Sequence, residues 1–154
     1  MLNLDELEQL MLIRQELETL ATRLAAKRIE KKTIRKLSKL VEQMEREVQA
    51  GREKEYSVLN KEFHLELYRA SHAQILVDLI EELWDRSERS RWVFKLFPER
   101  FMLSNKEHLE IIESLEQKDS ERAAELIRKQ KSKGFMSVIK VLKEYEQVKN
   151  QQIM

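Results

Sequence analysis

Asn60 and His64 are four residues apart, beside the apolar positions Tyr56, Leu59, Phe63 and Leu67. A four-residue step on a helix puts both side chains on one face, where an oxygen donor and an imidazole can share a metal ion. His108 takes a place among Ile111, Ile112 and Leu115, and Gln130 among Ala123, Leu126, Ile127, Gly134, Val138 and Val141. Inward polar side chains from facing helices are how a helical bundle builds a metal or ligand site. An inward histidine is more often a hydrogen-bonded core group, and spacing alone does not separate the two roles. Two arginines pose a related question. Arg14 interrupts the stripe Leu7, Leu10, Leu17, Ala21 and Leu24, and Arg86 sits in the row Leu79, Leu83, Ser90, Val93 and Phe97. A guanidinium on an apolar face pairs with a glutamate of a neighbouring helix, snorkels to the edge, or faces a cavity and grips an anion.

The elements that must position these residues are helices. Gly 2 and Pro 1 are too few for a chain built of strands and tight turns. The apolar periodicity predicts helices from about Asp5 to Lys27, from Thr33 (as N-cap) to Ala50, from Tyr56 to Ser71 and from Ala73 to Phe97. Gly51 ends the second and Pro98 stops or bends the fourth. A short link, Glu99 to Leu103, leads to a fifth helix opened by a Ser104–Glu107 capping box, and a sixth begins after Asp119 or Ser120. The polar tail, 142–154, is expected to fray. Trp84 and Trp92 read as packing or interface residues. The fold class is therefore all-α, a single domain over 1–154.

Composition limits the function. Hydrophobic residues at 42% and charged residues at 37% argue against wholesale disorder. A net charge of +1 gives no global field for nucleic acid, and Lys27-Arg28-Ile29-Glu30-Lys31-Lys32 reads as a solvated helix junction. The absence of cysteine removes disulfides and thiolate chemistry and fits a cytoplasmic location. No apolar run approaches a membrane span, and the acidic start is not a signal peptide.

Four stretches, in order, resemble a known family. Leu12-Ile-Arg14-Gln-Glu-Leu17-Glu18-Thr-Leu-Ala21-Thr-Arg-Leu24-Ala25-Ala26 looks like the first helix of the FCD domain, the effector-binding domain of FadR-subfamily GntR transcriptional regulators. Asn60-Lys-Glu-Phe63-His64, followed by Leu67-Tyr-Arg-Ala70-Ser71, is similar to its Asp-x-x-Phe-His motif. Glu107-His108-Leu-Glu-Ile-Ile112 and the segment Asp119 to Gln130 resemble its last two motifs. The resemblance implies an antiparallel bundle of about six or seven helices around a central cavity. It also implies a homodimer that binds DNA only through a winged helix-turn-helix domain, which is not read in these residues. In the family an aspartate and three histidines hold a divalent metal such as zinc, nickel or manganese, and a small carboxylate effector binds there beside arginines. Carried over by position, the metal ligands are Asn60, His64, His108 and Gln130; Arg14 and Arg86, the two arginines on inward rows, are the candidate effector-binding residues. Two of the four ligand positions are amides here, which lowers affinity for zinc-like metals and suits a metal-free polar pocket.

The function that follows is an effector-sensing and dimerisation domain for a small organic acid, not an enzyme. A ligand-free helical dimerisation or adaptor module is the alternative. A metal-dependent hydrolase using His64 and His108 lacks a general-base carboxylate on the same inward rows.

Overall fold

The computed structural model describes residues 3–88 and 98–153, apart from the side chains of 98, 99 and 101. Among the described residues there are six helices and no strand: α1 (Leu4–Arg28), α2 (Lys31–Gln49), α3 (Glu53–Arg69), α4 (Gln74–Ser87), α5 (Pro98–Glu116) and α6 (Ser120–Ile153). The predicted extension of the fourth helix to Phe97, with Ser90, Trp92, Val93 and Phe94, lies outside the described residues.

Local signals set the helix ends. The Asn3 side chain accepts from the backbone N–H groups of Asp5 and Glu6, satisfying two donors that the first turn of α1 leaves unpaired. After α2, Gly51 adopts φ +70°. The N–H groups of Gly51 and Arg52 turn back to the carbonyls of Val48 and Glu47, a Schellman closure that favours a residue without Cβ. Lys118 makes the same closure after α5 at φ 57°, its N–H and that of Asp119 reaching Leu115 and Ser114. The Asp119 carboxylate then accepts from the Arg122 N–H and caps α6.

Three local expectations are corrected. Glu30, not Thr33, is the N-cap of α2. Glu99 to Leu103 is no link: α5 opens at Pro98, where a ring that lacks N–H and fixes φ suits a first helical turn. Ser104 and Glu107 therefore lie inside the helix, and Glu107 pairs with Arg100 in place of a capping box. The polar tail is helical: α6 continues to Ile153, with residues 143–153 exposed.

Helix α1 packs against α6, α4 and α3, and α2 against α3 and α5. Helices α1 and α6 run antiparallel, as the ion pairs Arg23–Glu121, Glu16–Arg128 and Glu8–Lys143 show in sequence. The main core gathers Ala21, Leu37, Met44, Phe63, Ile80 and Ile111 with their neighbours. A second cluster, Leu7, Met11, Val138 and Leu142, closes the end of the bundle where α1 begins. The buried face of α1 is rotated from the leucine stripe: Met11, Arg14, Glu18, Thr22 and Ala25 are buried, while Leu10, Leu17 and Leu24 are only partly covered.

Candidate functional site

One cavity is walled by α1, α3, α4, α5 and α6. Arg14 reaches it from α1, Asn60 and His64 from α3, Trp84 and Ser87 from α4, Arg100 and Ser104 from α5, and Gln130 and Lys131 from α6. Met11, Tyr56 and Phe135 supply apolar wall. The space amounts to about 70 Å³, which suits a ligand of a few heavy atoms.

Helical periodicity explains why these residues meet. Asn60, Phe63, His64 and Leu67 recur at steps of three and four, so packing Phe63 and Leu67 into the core carries Asn60 and His64 inward. The same holds for His108 with Ile111, Ile112 and Leu115, and for Gln130 with Ile127 and Val138.

Glu18 is the electrostatic centre. It is completely buried, and its carboxylate takes a charged hydrogen bond from Arg14 Nε at 3.0 Å, an ion pair from Lys131 Nζ at 3.4 Å and a hydrogen bond from the Tyr68 hydroxyl at 2.7 Å. Burial by itself would raise the pKa of Glu18, but Arg14, Lys131 and Tyr68 outweigh it and hold the carboxylate below its usual range. Burial, followed by the charge of Glu18, pushes the Tyr68 hydroxyl well above the ordinary phenol range, so it remains a donor. The indole of Trp84 carries both cations, with the Arg14 guanidinium 4.2 Å and the Lys131 ammonium 4.3 Å from a ring centroid. Arg14 also reaches Ser87 Oγ at 3.3 Å.

A polar chain leads from this cluster into the core. Tyr68 Oη lies 3.3 Å from His64 Nδ1, His64 Nε2 lies 3.3 Å from His108 Nε2, and His108 Nδ1 lies 3.4 Å from Asn105 Oδ1. Asn105 Nδ2 then donates to Glu45 at 2.7 Å, on the exposed side of α2. Burial, aided by Lys131 and Arg100, pushes His108 from 6.5 down to about 3, so it is a neutral imidazole at physiological pH. The stability consequence has a definite sign. Below pH 6.5 the unfolded chain takes up a proton at His108 that the fold refuses, so stability falls by up to about 1.4 kcal/mol per pH unit until the folded pKa near 3 is reached. Urea titrations of the wild type and His108→Gln from neutral pH to about pH 4 should therefore show the shallower decline in the variant. Equal slopes would remove His108 as the cause.

Asn60, His64, Gln130 and Arg14 line one cavity, with His108 directly behind His64. Arg86 does not join them. The buried row of α4 is Val77, Ile80, Trp84 and Ser87, and Arg86 shares an exposed face with Leu79. The second arginine at the cavity is Arg100, held by Glu107 through two hydrogen bonds. The sequence reading missed Arg100, Lys131, Asn105 and Glu18, though Glu18 carries a signal in its four-residue step from Arg14.

The metal expected at Asn60, His64, His108 and Gln130 meets a poor donor set. The two imidazoles are joined to each other, and the two amides add only neutral oxygen. Glu18, the buried carboxylate, is already committed to Arg14, Lys131 and Tyr68. Among the described residues no three of His, Cys, Asp and Glu converge as a metal cluster. Lys131 and Arg100 already disfavour a positive charge on His108 and would oppose a divalent cation beside it. These residues do not fit a tightly held divalent metal. Purified chain should carry well under stoichiometric zinc, nickel or manganese by elemental analysis, and its melting temperature should not move on chelation. Stoichiometric metal with a fall in melting temperature would overturn this assignment.

Three buried polar atoms of cavity-lining residues have no hydrogen-bond partner among the described residues: Asn60 Oδ1, Gln130 Oε1 and Trp84 Nε1. Gln130 meanwhile donates through Nε2 to the backbone and hydroxyl oxygens of Ser104, both at 3.3 Å.

Comparison with known proteins agrees with this architecture. A model of the FCD domain matches residues 9–130. The chain is 31% identical over 81 residues to the HTH-type transcriptional regulator McbR of Escherichia coli (strain K12), an alignment covering 53% of this chain and 37% of that protein. The chain thus matches little more than a third of that regulator's length. Among solved structures, E. coli McbR/YncC superposes with a TM-score of 0.83 at 22% identity, covering 88% of this chain and 69% of that one. Streptococcus agalactiae GntR superposes with a TM-score of 0.72 at 25% identity, covering 92% and 62%.

Proposed function

Since the chain belongs to the FCD domain family, we propose that it is the effector-sensing and dimerisation domain of a GntR/FadR-type transcriptional regulator, binding a small carboxylate in the bundle cavity. The observation that carries this reading is the set of three buried, unpartnered polar atoms around a cavity that also holds Arg14 and Lys131. Buried polar groups are almost always satisfied, so a donor and two acceptors left open around one space favour a ligand that completes them. The guanidinium of Arg14 and the indole N–H of Trp84 would take the carboxylate, and Asn60 and Gln130 would accept from a donor on the ligand.

Such a ligand would contact α1, α3, α4 and α6 together. Binding one arrangement of these helices better than another would shift their positions, and in a homodimer this would reset the spacing of attached winged helix-turn-helix domains, through which the parent protein would meet DNA. Among the described residues no helix is long and apolar enough to cross a membrane.

The test is a melting-temperature screen of small organic acids against the wild type and Arg14→Ala. A binder of the native state raises stability by mass action. At least one acid should raise the melting temperature of the wild type in a concentration-dependent way, and Arg14→Ala should lose most of that rise. No response to any acid, or an equal response in both proteins, would count against the reading.

A further inference from the structure

Gln130 meets the cavity in one orientation. Its Nε2 lies 3.3 Å from the backbone oxygen of Ser104, which can only accept, so the amide nitrogen must point there. Oε1 is turned away from that contact and is buried without a partner among the described residues. Asn60 Oδ1, on α3, is in the same condition, and both residues line the same cavity. Both side chains are more than nine-tenths buried, with Asn60 8% and Gln130 5% exposed. Two neutral acceptors therefore stand open beside one space.

A plain carboxylate does not answer them. Its oxygens only accept, so it can serve the Arg14 guanidinium and the Trp84 N–H and still leaves both amide oxygens without a donor. The ligand has to bring a donor of its own beside its carboxylate. An ammonium would bring a charge and three N–H groups to two neutral oxygens. The buried carboxylate that could balance it, Glu18, is already engaged by Arg14, Lys131 and Tyr68, and Glu88, which also lines the cavity, is exposed to water. A hydroxyl brings a donor and no charge. We propose that Asn60 and Gln130 select for a hydroxyl, so that the cavity takes small hydroxy acids in preference to plain carboxylic acids and amino acids. This assignment rests on the effector-binding reading above. A space of about 70 Å³ suits acids of this small size.

The probes are propionate, lactate, 3-hydroxypropionate and alanine: one three-carbon frame with no donor, a hydroxyl at either position, or an ammonium. They are titrated calorimetrically against the full chain as wild type, Gln130→Met, Asn60→Leu, the double variant and Arg14→Lys. The quantity read is the ratio of hydroxy-acid to propionate affinity. In wild type one of the two hydroxy acids should bind roughly tenfold or more tighter than propionate, the scale of one buried acceptor gaining its donor, and alanine should bind less well than that hydroxy acid. Gln130→Met and Asn60→Leu, which keep side-chain size and delete the acceptor, should each lower the ratio, and the double variant should bring it to about one. Arg14→Lys should weaken every acid and leave the ratio standing, which separates reading of the hydroxyl from general damage to the cavity. A wild-type ratio near one, alanine bound as tightly as the better hydroxy acid, or a ratio that survives the double variant would overturn the proposal. If none of the four binds while another acid raises the melting temperature, or if propionate binds as well as the hydroxy acids, the hydroxyl assignment falls and the effector reading stands. If no acid acts at all, both fall.

Discussion

Arg14→Met is expected to lower the stability of the domain by about 3–5 kcal/mol, the scale for removing one partner of a buried ion pair. Glu18 has no access to water and would keep only the 3.4 Å ion pair to Lys131 and the 2.7 Å hydrogen bond from Tyr68. Methionine retains much of the arginine's apolar stem and removes the guanidinium, whose carbon lies 4.2 Å from the Trp84 and 5.0 Å from the Phe135 ring centroid, so the loss reports on the cation more than on packing. Adding Glu18→Gln should recover part of the loss, because the carboxylate stranded by the first change is then gone. Urea unfolding of the three proteins measures both steps. A loss below about 1 kcal/mol, the scale of an exposed ion pair, would show that water reaches Glu18.

Trp84→Ala should cost as much or more. The indole is 1% exposed and belongs to the main core, and truncations of this kind remove about 3–5 kcal/mol. Arg14 and Lys131 would also lose the ring face that each lies against, a further contribution of about 0.5–2 kcal/mol per cation. Trp84→Phe separates two roles of the residue. It keeps an aromatic face for the cations, and the indole N–H that it deletes has no partner among the described residues, so its stability cost should be far smaller than that of alanine. Carboxylate binding, however, should weaken through loss of the Trp84 indole donor at the cavity. A Trp84→Ala loss under about 1.5 kcal/mol would contradict the core role.

The sequence was most legible where one periodicity had one reading. Asn60, His64, His108 and Gln130 interrupt regular apolar stripes that face the core, although Leu59, Leu126 and Val141 are only partly covered. Arg14 is equally plain, but its partner is not on a neighbouring helix. Glu18 sits one turn further along the same helix, where a glutamate between Leu17 and Thr19 looks like a solvated side chain. Arg86 misled because α4 has apolar residues on two faces. Ile75 and Leu79 are exposed, so a row through Leu79 and Leu83 seemed as inward as the true row through Ile80 and Trp84. Arg100 was hidden by Pro98, which can end one helix or begin another, and taking it as a stop turned the first turn of α5 into a link. The tail of α6 lacks an apolar face dense enough to predict packing, yet it propagates from a helix already anchored by its first 23 residues, and extending a nucleated helix is far easier than starting one.

That same helix is a lever. Its fulcrum is the stretch clamped against α1 by Arg23–Glu121, Glu16–Arg128 and Glu8–Lys143, and Gln130 and Lys131 of the cavity wall lie within that span. At about 1.5 Å of rise per residue, the arm beyond the last clamp, from Lys143 to Ile153, is roughly 15 Å long, so a tilt of about 11° sweeps its tip by about 3 Å. The tip emerges from the end of the bundle at which α1 begins. Mechanically the helix amplifies: a displacement at the cavity wall small enough to be absorbed by side-chain rotation becomes, at the far end, a step as long as a hydrogen bond.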